Sequence, residues 1–389
     1  MALAALTFDF TTPGRILFGR GSALQAASLA RGFGERALVV IGGSTSRPAG
    51  LLDRFRREGL TCEVLQSSTE PTVDMVRDGV ERARRLGSQL VIGLGGGSAL
   101  DAAKAIAILA THPGDVFDYL EVIGGGRALD RPGLPAVAIP TTAGTGTEVT
   151  RNAVLASPSH GVKVSLRSPF LPPRLAIVDP DLSSQMPPDL TARVGCDALT
   201  QLIEPFVSLR ANPLSDAVCR EGLRLAASAL AIAVHRGTDQ EARSAMAAAA
   251  LLSGLALANA GLGAIHGLAG PIGGMISAPH GSICAALLPL GMAVNLRALR
   301  ERAPGGEALR RYAELGPVLT GDPTATADAA VAWAGMLVTD IGIPRLSALG
   351  LTTQMVPTVV ERAVAASSTR ANPIVLSPAE LTEIVERAL

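Results

Sequence analysis

The most informative absence in this sequence is of charge: from Ser244 to Leu296 there is no Asp, Glu, Lys or Arg. Yet two of only five histidines, His266 and His280, fall inside that stretch, among Ala, Leu, Gly and Ile. An imidazole in a dry interior needs a partner. Two readings are open from the residues alone. Each histidine bonds a backbone carbonyl in the core, or the pair binds a metal. Upstream, GCDALTQLIEPF places Asp197 and Gln201 four residues apart, neighbours on one helix face. Asp with two imidazoles is a set that holds a divalent cation and leaves a coordination position open.

Other absences exclude whole classes of function. Formal net charge is zero, and no basic run or aromatic-interleaved Arg patch occurs, so no nucleic-acid partner is expected. The four cysteines (Cys62, Cys196, Cys219, Cys284) show no CxxC spacing, which points to reduced thiols in a reducing compartment. The N-terminus has no basic region followed by a long apolar run, so no signal peptide is expected and a cytoplasmic location follows. The charge-free run Met246 to Ile265 has transmembrane length, but Ser253 and Asn259 lie inside it and no basic cluster flanks it closely. A buried helix, with no membrane partner, is the expectation.

With 389 residues, nearly half of them apolar, the chain has material for two cores. The first third alternates apolar strand-like runs (RALVVIGG, CEVLQ, LVIGLGGG) with amphipathic helical ones (LLDRFRREG, VDMVRDGVERARRLG), the pattern of a parallel sheet covered on both faces. LPAVAIP and RLAIVDP supply further strands. After Leu190 strand signals nearly vanish, and helices are expected over 196–210, 213–235, 240–258, 281–300, 324–340 and 377–388. The two prolines of DLSSQMPPDL mark the junction. The expected plan is an α/β domain over residues 1–185 and a helical domain over 186–389.

Behind the strand LVIGL stands GGGS, Gly95 to Ser98, and then a helix beginning ALDAAKAIA. Glycines let backbone approach an anion, and a helix N-terminus presents free amides and a positive dipole end, so this is either a pyrophosphate cradle or a simple tight turn. The spacing is not GxGxxG. A second loop, PTTAGTGTEVT from Pro140 to Thr150, either bonds a dinucleotide or turns a corner. Lysine is almost absent: Lys104 and Lys163 are the two in the chain, both near these loops, which suggests a compact ammonium near phosphates.

Taken together, FTTPGRILFGRGS, GGGSALDAAKAIA, IPTTAGTGTEVTRN, AIVDPDL, GCDALTQLIEPFVS with ANPLSDA, NAGLGAIHGLAGPIGG and APHGSICAALLP resemble the iron-containing (group III) alcohol dehydrogenase family over nearly the whole chain. Glycerol dehydrogenase and dehydroquinate synthase look like more distant relatives of the same two-domain plan. The resemblance implies an N-terminal α/β dinucleotide-binding domain, an all-α C-terminal domain, and a metal in the cleft between them. It implies NAD(P)-dependent hydride transfer between a small alcohol and its aldehyde or ketone, in a homodimer or higher homo-oligomer. Residue by residue, it assigns Gly96, Gly97 and Ser98 to the pyrophosphate with Asp101 beside them. Thr141, Thr142 and Thr145 lie along the dinucleotide, Asn152 and Lys163 toward ribose, and Leu182 near adenine. Asp197, His266 and His280 stand at catalytic metal-ligand positions, with iron(II) or zinc as the ion.

Three positions depart from the family pattern. Gln201 stands where a histidine ligand is usual. Its carbonyl oxygen is a harder, weaker donor, so either the ion is held by Asp197, Gln201, His266 and His280, or the protein works without metal, like the maleylacetate reductases, or has lost catalysis and only binds nucleotide. Gly270 stands where many members have a further histidine near the nicotinamide, which removes a proton conduit and enlarges the pocket. Gly42 ends a strand where NAD-preferring members carry an acid; without that carboxylate, and with Ser44, Thr45, Ser46 and Arg47 following, NADP(H) is expected to be tolerated. Glu204 either orients a ligand or makes a structural salt bridge. Cys284, four residues after His280, either approaches the cleft or is a buried inert thiol, the second being favoured, and His112, His160 and His235 read as ordinary loop or solvent-facing residues.

Overall fold

The computed structural model of the chain describes residues 7–43, 49–67 and 70–389. Ser44, and with it the Ser44 to Arg47 segment behind the NADP(H) expectation, lies outside the described residues. The chain forms two compact units that divide between Met186 and Pro187. The described residues before Thr12 go with the second unit, because Thr11 and Asn259 exchange two hydrogen bonds, N–H to Oδ1 at 2.6 Å and Nδ2–H to O at 2.9 Å.

The first unit runs through β1 (Ile16–Phe18), α1 (Ala26–Arg31), β2 (Arg36–Gly42), α2 (Ala49–Arg57), β3 (Thr61–Ser67), α3 (Val73–Leu86), β4 (Leu90–Gly95), α4 (Gly97–Leu109), β5 (Ala136–Pro140), β6 (Asn152–Ser157), β7 (Val162–Arg167), β8 (Leu175–Val178) and the single turn α5 (Pro180–Ser183). Six strands make one parallel sheet in the order β1-β8-β5-β4-β2-β3. Its central strands are apolar throughout because both faces are covered, and the period of two divides them between two cores. Leu38, Val40 and Val91 pack with Val76, Val80 and Ile106 of α3 and α4; Ala37, Val39, Ile41, Leu90, Ile92 and Leu94 pack with Ala27, Ala30 and Phe55 of α1 and α2. The chain passes from β2 outward to β3 and then returns across β2 to β4. The carboxyl ends of β2 and β4 therefore flank the topological switch point, where ligands of open α/β sheets bind.

An antiparallel pair, β6 with β7, was not among the expected strands. Ala153, Leu155, Val164 and Leu166, with Val162 partly buried beside them, face the core, too short an alternation to stand out beside polar neighbours.

The second unit is helical: α6 (Pro188–Val207), α7 (Pro213–His235), α8 (Gln240–Ala260), α9 (Ala264–Met275), α10 (His280–Arg302), α11 (Glu307–Thr320), α12 (Ala327–Asp340), α13 (Val356–Ala365) and α14 (Pro378–Ala388). α9, α11 and α13 exceed the expected set. α9 was hidden by Gly267, Gly270, Gly273, Gly274 and Pro271, which by propensity break a helix. The charge-free run expected as one buried helix is two, α8 and α9, bent by 100° at Gly261 to Gly263. Among the described residues α10 alone is long and apolar enough by itself to cross a membrane, and 72% of that apolar window is buried inside the protein.

Candidate active site

Three helices converge on one cluster. On α6, Asp197, Gln201 and Glu204 follow at i, i+4 and i+7, one buried face. α9 brings His266 on its first turn, and α10 starts at His280 with Cys284 one turn later. Two glycines permit the approach. A Cβ on Gly281 would overlap the Arg193 carbonyl of α6, and one on Gly263 would come within 2.8 Å of both the Asn372 and the Glu204 side-chain oxygens.

Some polar atoms of this cluster face one another with no hydrogen bond between them. His266 Nε2 lies 3.5 Å from Asp197 Oδ1, and His280 Nε2 lies 3.8 Å from the same oxygen. Asp197 Oδ1, Gln201 Oε1 and His266 Nε2 are buried and have no hydrogen-bond partner. Leaving such atoms unpaired costs about 1–3 kcal/mol each, and their donor types suit a divalent cation. Their outward-facing partners are in place. The Gln201 amide donates to Asp197 Oδ2 at 3.1 Å, while its carbonyl oxygen is buried with no partner. Glu204 Oε2 lies 2.6 Å from His266 Nδ1 while Oε1 accepts the Ile265 N–H at 2.7 Å, so one carboxylate both caps α9 and orients the His266 ring with Nε2 toward Asp197. Of the two roles the residues alone left to Glu204, the geometry supports orienting a ligand.

The electrostatics agree with that donor set. Burial opposes a charged imidazole at His266, but the Cys284 sulfur and the Glu204 carboxylate outweigh it and raise its pKa well above the ordinary value. The Cys284 sulfur raises His280 to about 8 against the effect of burial. A site whose anions draw protons onto both imidazoles is one that a divalent ion can occupy in their place. His280, with 44% of its side chain exposed, opens the cluster to solvent, whereas Asp197, Gln201, Glu204, His266 and Cys284 are buried.

The cofactor candidates gather in the first unit at the switch point. β4 ends at Gly95, and an added Cβ there would meet the Gly42 backbone nitrogen at 2.8 Å, so the ends of β2 and β4 touch only because both are glycine. Gly96 is the N-cap of α4, with no side chain bonded to the helix end, and Gly96, Gly97 and Ser98 are half-buried at its mouth. Thr141 N–H bonds the Gly95 carbonyl at 2.9 Å, Thr142 flanks Gly96, and Thr145 flanks Gly97, so the threonine loop lies along the glycine turn. Asn152 begins β6, and Leu182 packs partly buried against the sheet's outer core.

Two of the assigned side chains, and Lys104 with them, have internal partners. Lys163 Nζ is 2.6 Å from Glu70 Oε1. Asp101 accepts the Val154 N–H at 3.1 Å and sits 3.3 Å from Lys104 Nζ, and burial, its largest influence, raises its pKa against the pull of Lys104. Lys104 is a correction to the sequence reading: it is buried and does not face a phosphate site. Its ammonium donates to the carbonyls of Thr147 (2.9 Å) and Asn152 (2.5 Å) and to Thr150 Oγ1 (2.8 Å), fastening the threonine loop to α4. His112 lies in the loop after α4, as expected, but is buried there, with Nδ1 2.7 Å from the Ile108 carbonyl. Of the two readings left to Cys284, the geometry supports approach to the cluster: its sulfur lies 3.5 Å from His280 Nε2.

A family model described as iron-containing alcohol dehydrogenase matches residues 13–180, and one described as the Fe-containing alcohol dehydrogenase family C-terminal region matches residues 191–389. Long-chain-alcohol dehydrogenase 1 of Geobacillus thermodenitrificans is 35% identical over 382 residues, covering 95% of this chain and 94% of the relative. The NAD-dependent methanol dehydrogenase of Bacillus methanolicus is 31% identical, covering 98% and 100%. Among solved structures, a 1,3-propanediol oxidoreductase superposes with a TM-score of 0.91 at 32% identity, covering 99% of this chain and 100% of that one. Two family models in the right order, relatives matched along their whole length, and a cluster of imidazole and carboxylate atoms suited to a divalent cation lead to one conclusion: the chain belongs to the iron-containing alcohol dehydrogenase family and is a metal-dependent, NAD(P)-dependent oxidoreductase acting on alcohols.

Proposed function

We propose that this enzyme interconverts a small primary alcohol and its aldehyde, with Asp197, Gln201, His266 and His280 holding a divalent ion, iron(II) first and zinc second. The observation that carries the reading is the pair Asp197 Oδ1 and His266 Nε2, buried and unpaired 3.5 Å apart, with Gln201 Oε1 also buried and unpaired one turn along α6. When bound, such an ion supplies Lewis acidity, stabilising negative charge on the substrate oxygen while hydride passes to or from C4 of the nicotinamide. The chain's own residues do the rest. Glu204 keeps the His266 ring oriented, and His280 marks the solvent-facing side by which substrate arrives.

Gly96, Gly97 and Ser98 take the pyrophosphate on free helix amides, with Thr141, Thr142, Thr145 and Asp101 along the dinucleotide, Asn152 and Lys163 toward ribose, and Leu182 by the adenine. Lys163 must then exchange Glu70 for a ribose hydroxyl. Gly42 puts no carboxylate at the end of β2, so a 2′-phosphate meets no repulsion there and NADP(H) is accepted with NAD(H). The enzyme is read as cytoplasmic and as a homodimer or higher homo-oligomer, which sedimentation of the purified protein tests.

The experiment is a chelation and reconstitution series: activity on a panel of alcohols and aldehydes, with each cofactor, after stripping and after adding back iron(II) or zinc. Loss on stripping and return on reloading is expected. Activity indifferent to both treatments sinks the metal reading in favour of a metal-free reductase, and cofactor binding without any turnover indicates lost catalysis.

Around Gly270, an added Cβ meets nothing within 4 Å, and the same holds for Gly274 one turn further from His266. That open strip supports bulkier substrates. Gly270→His should narrow the range measured by kcat/KM across chain lengths; an unchanged profile rejects this.

A further inference from the structure

The cluster holds one strong donor more than the four just named. Cys284 is wholly buried, yet its sulfur does not face apolar neighbours; it lies 3.5 Å from His280 Nε2. One ligand atom from each of Asp197, His266, His280 and Cys284 can be chosen so that all four lie within 4.8 Å of one another. Bonds of about 2.0–2.3 Å to oxygen, nitrogen and sulfur give a tetrahedron edges of about 3.3–3.7 Å. The separations here, 3.5 Å for His266 to Asp197, 3.8 Å for His280 to Asp197 and 3.5 Å for Cys284 to His280, lie on or next to those edges. His266 Nε2, buried and without a partner, aims into the same space.

Gln201 is the contrasting case. Its amide nitrogen is engaged by Asp197, and what it offers is a neutral oxygen, the weakest donor of the five. Resting on the metal reading above, we propose that Cys284 is itself a metal ligand, its thiolate supplying the strong fourth donor that the amide of Gln201 does not. On loading, the S–H proton leaves to solvent and the sulfur lone pair binds the ion, with no change of oxidation state. Thiolate and carboxylate together balance the two charges of the cation. A sulfur ligand also tilts the site toward thiophilic ions such as zinc, cobalt and iron(II) and away from magnesium and manganese.

The test is a titration of metal-stripped, full-length protein with cobalt(II), followed by absorption. A thiolate-to-cobalt charge-transfer band in the near ultraviolet, growing in step with loading and lost in Cys284→Ala and Cys284→Ser, is expected. Affinity in those variants should fall by at least the roughly 10–100-fold that loss of an outer hydrogen-bond partner costs a metal site. Because the band is read in the unaltered protein, a variant that fails to fold does not decide the matter. Cobalt bound with visible ligand-field absorption but no charge-transfer band overturns Cys284 as a ligand and leaves the metal reading standing. No cobalt bound overturns both.

Discussion

Glu204 illustrates how a residue outside the ligand set can decide the site. Its two oxygens serve His266 Nδ1 and the Ile265 N–H, so neutralising it weakens the hydrogen bond that fixes the imidazole. Glu204→Gln should lower metal affinity about 10–100-fold, read by competition with a chelating dye; unchanged affinity would reduce Glu204 to a helix cap. Glu148, in the threonine loop, is buried and its carboxyl is pushed up from 4.5 to about 7 by that burial, against the pull of Lys104. The folded protein thus holds a proton between about pH 4.5 and 7 that the unfolded chain releases. This group's contribution to stability is full below pH 4.5 and lost as pH rises through 7. Glu148→Gln removes that loss, so between pH 5 and 8 urea unfolding should show the variant gaining up to about 3 kcal/mol on the parent. A constant difference between them across that range would refute the assignment.

Elements differed in how plainly the residues announced them. β2, β4 and β5 were legible because strands buried on both faces are apolar without interruption, and α7 was legible from Asn212 and Pro213 through to His235 because capping and periodicity agree. α9 was not, since tertiary contacts override the poor propensity of four glycines and a proline: Asn372 Oδ1 accepts the Ala264 N–H at 2.9 Å and Glu204 accepts the next one. The two histidines and Asp197 were readable as a set from residue type alone. The capping role of Glu204 was not, because it depends on distances between helices that residues in sequence do not record, while the spacing of Cys284 from His280 offered only a faint hint. Lys104 misled for a related reason. Its rarity was a true signal of a specific task, but the task is to fasten the threonine loop, and only the carbonyls converging on its ammonium reveal it.

At the scale of the whole chain, the candidate ligands span residues 197 to 284 and come from three separate helices, so loading the cluster stabilises the second unit by mass action. At free metal 100 times its dissociation constant the gain is about 2.7 kcal/mol. That gain should not spread evenly. α6 and α10 are long helices with deeply packed faces, whereas α9 is laced with glycine and held at its start by side chains of the cluster itself. Hydrogen–deuterium exchange should therefore show α9 exchanging fastest of the three when metal is stripped and slowing most when it is restored; equal protection in both states would separate that helix from the ion. In a cell short of iron, the same arrangement makes the empty enzyme easy to recognise: a glycine-rich segment that opens readily is a natural place for a protease to begin, so metal supply would set how long the protein lasts as well as how well it works.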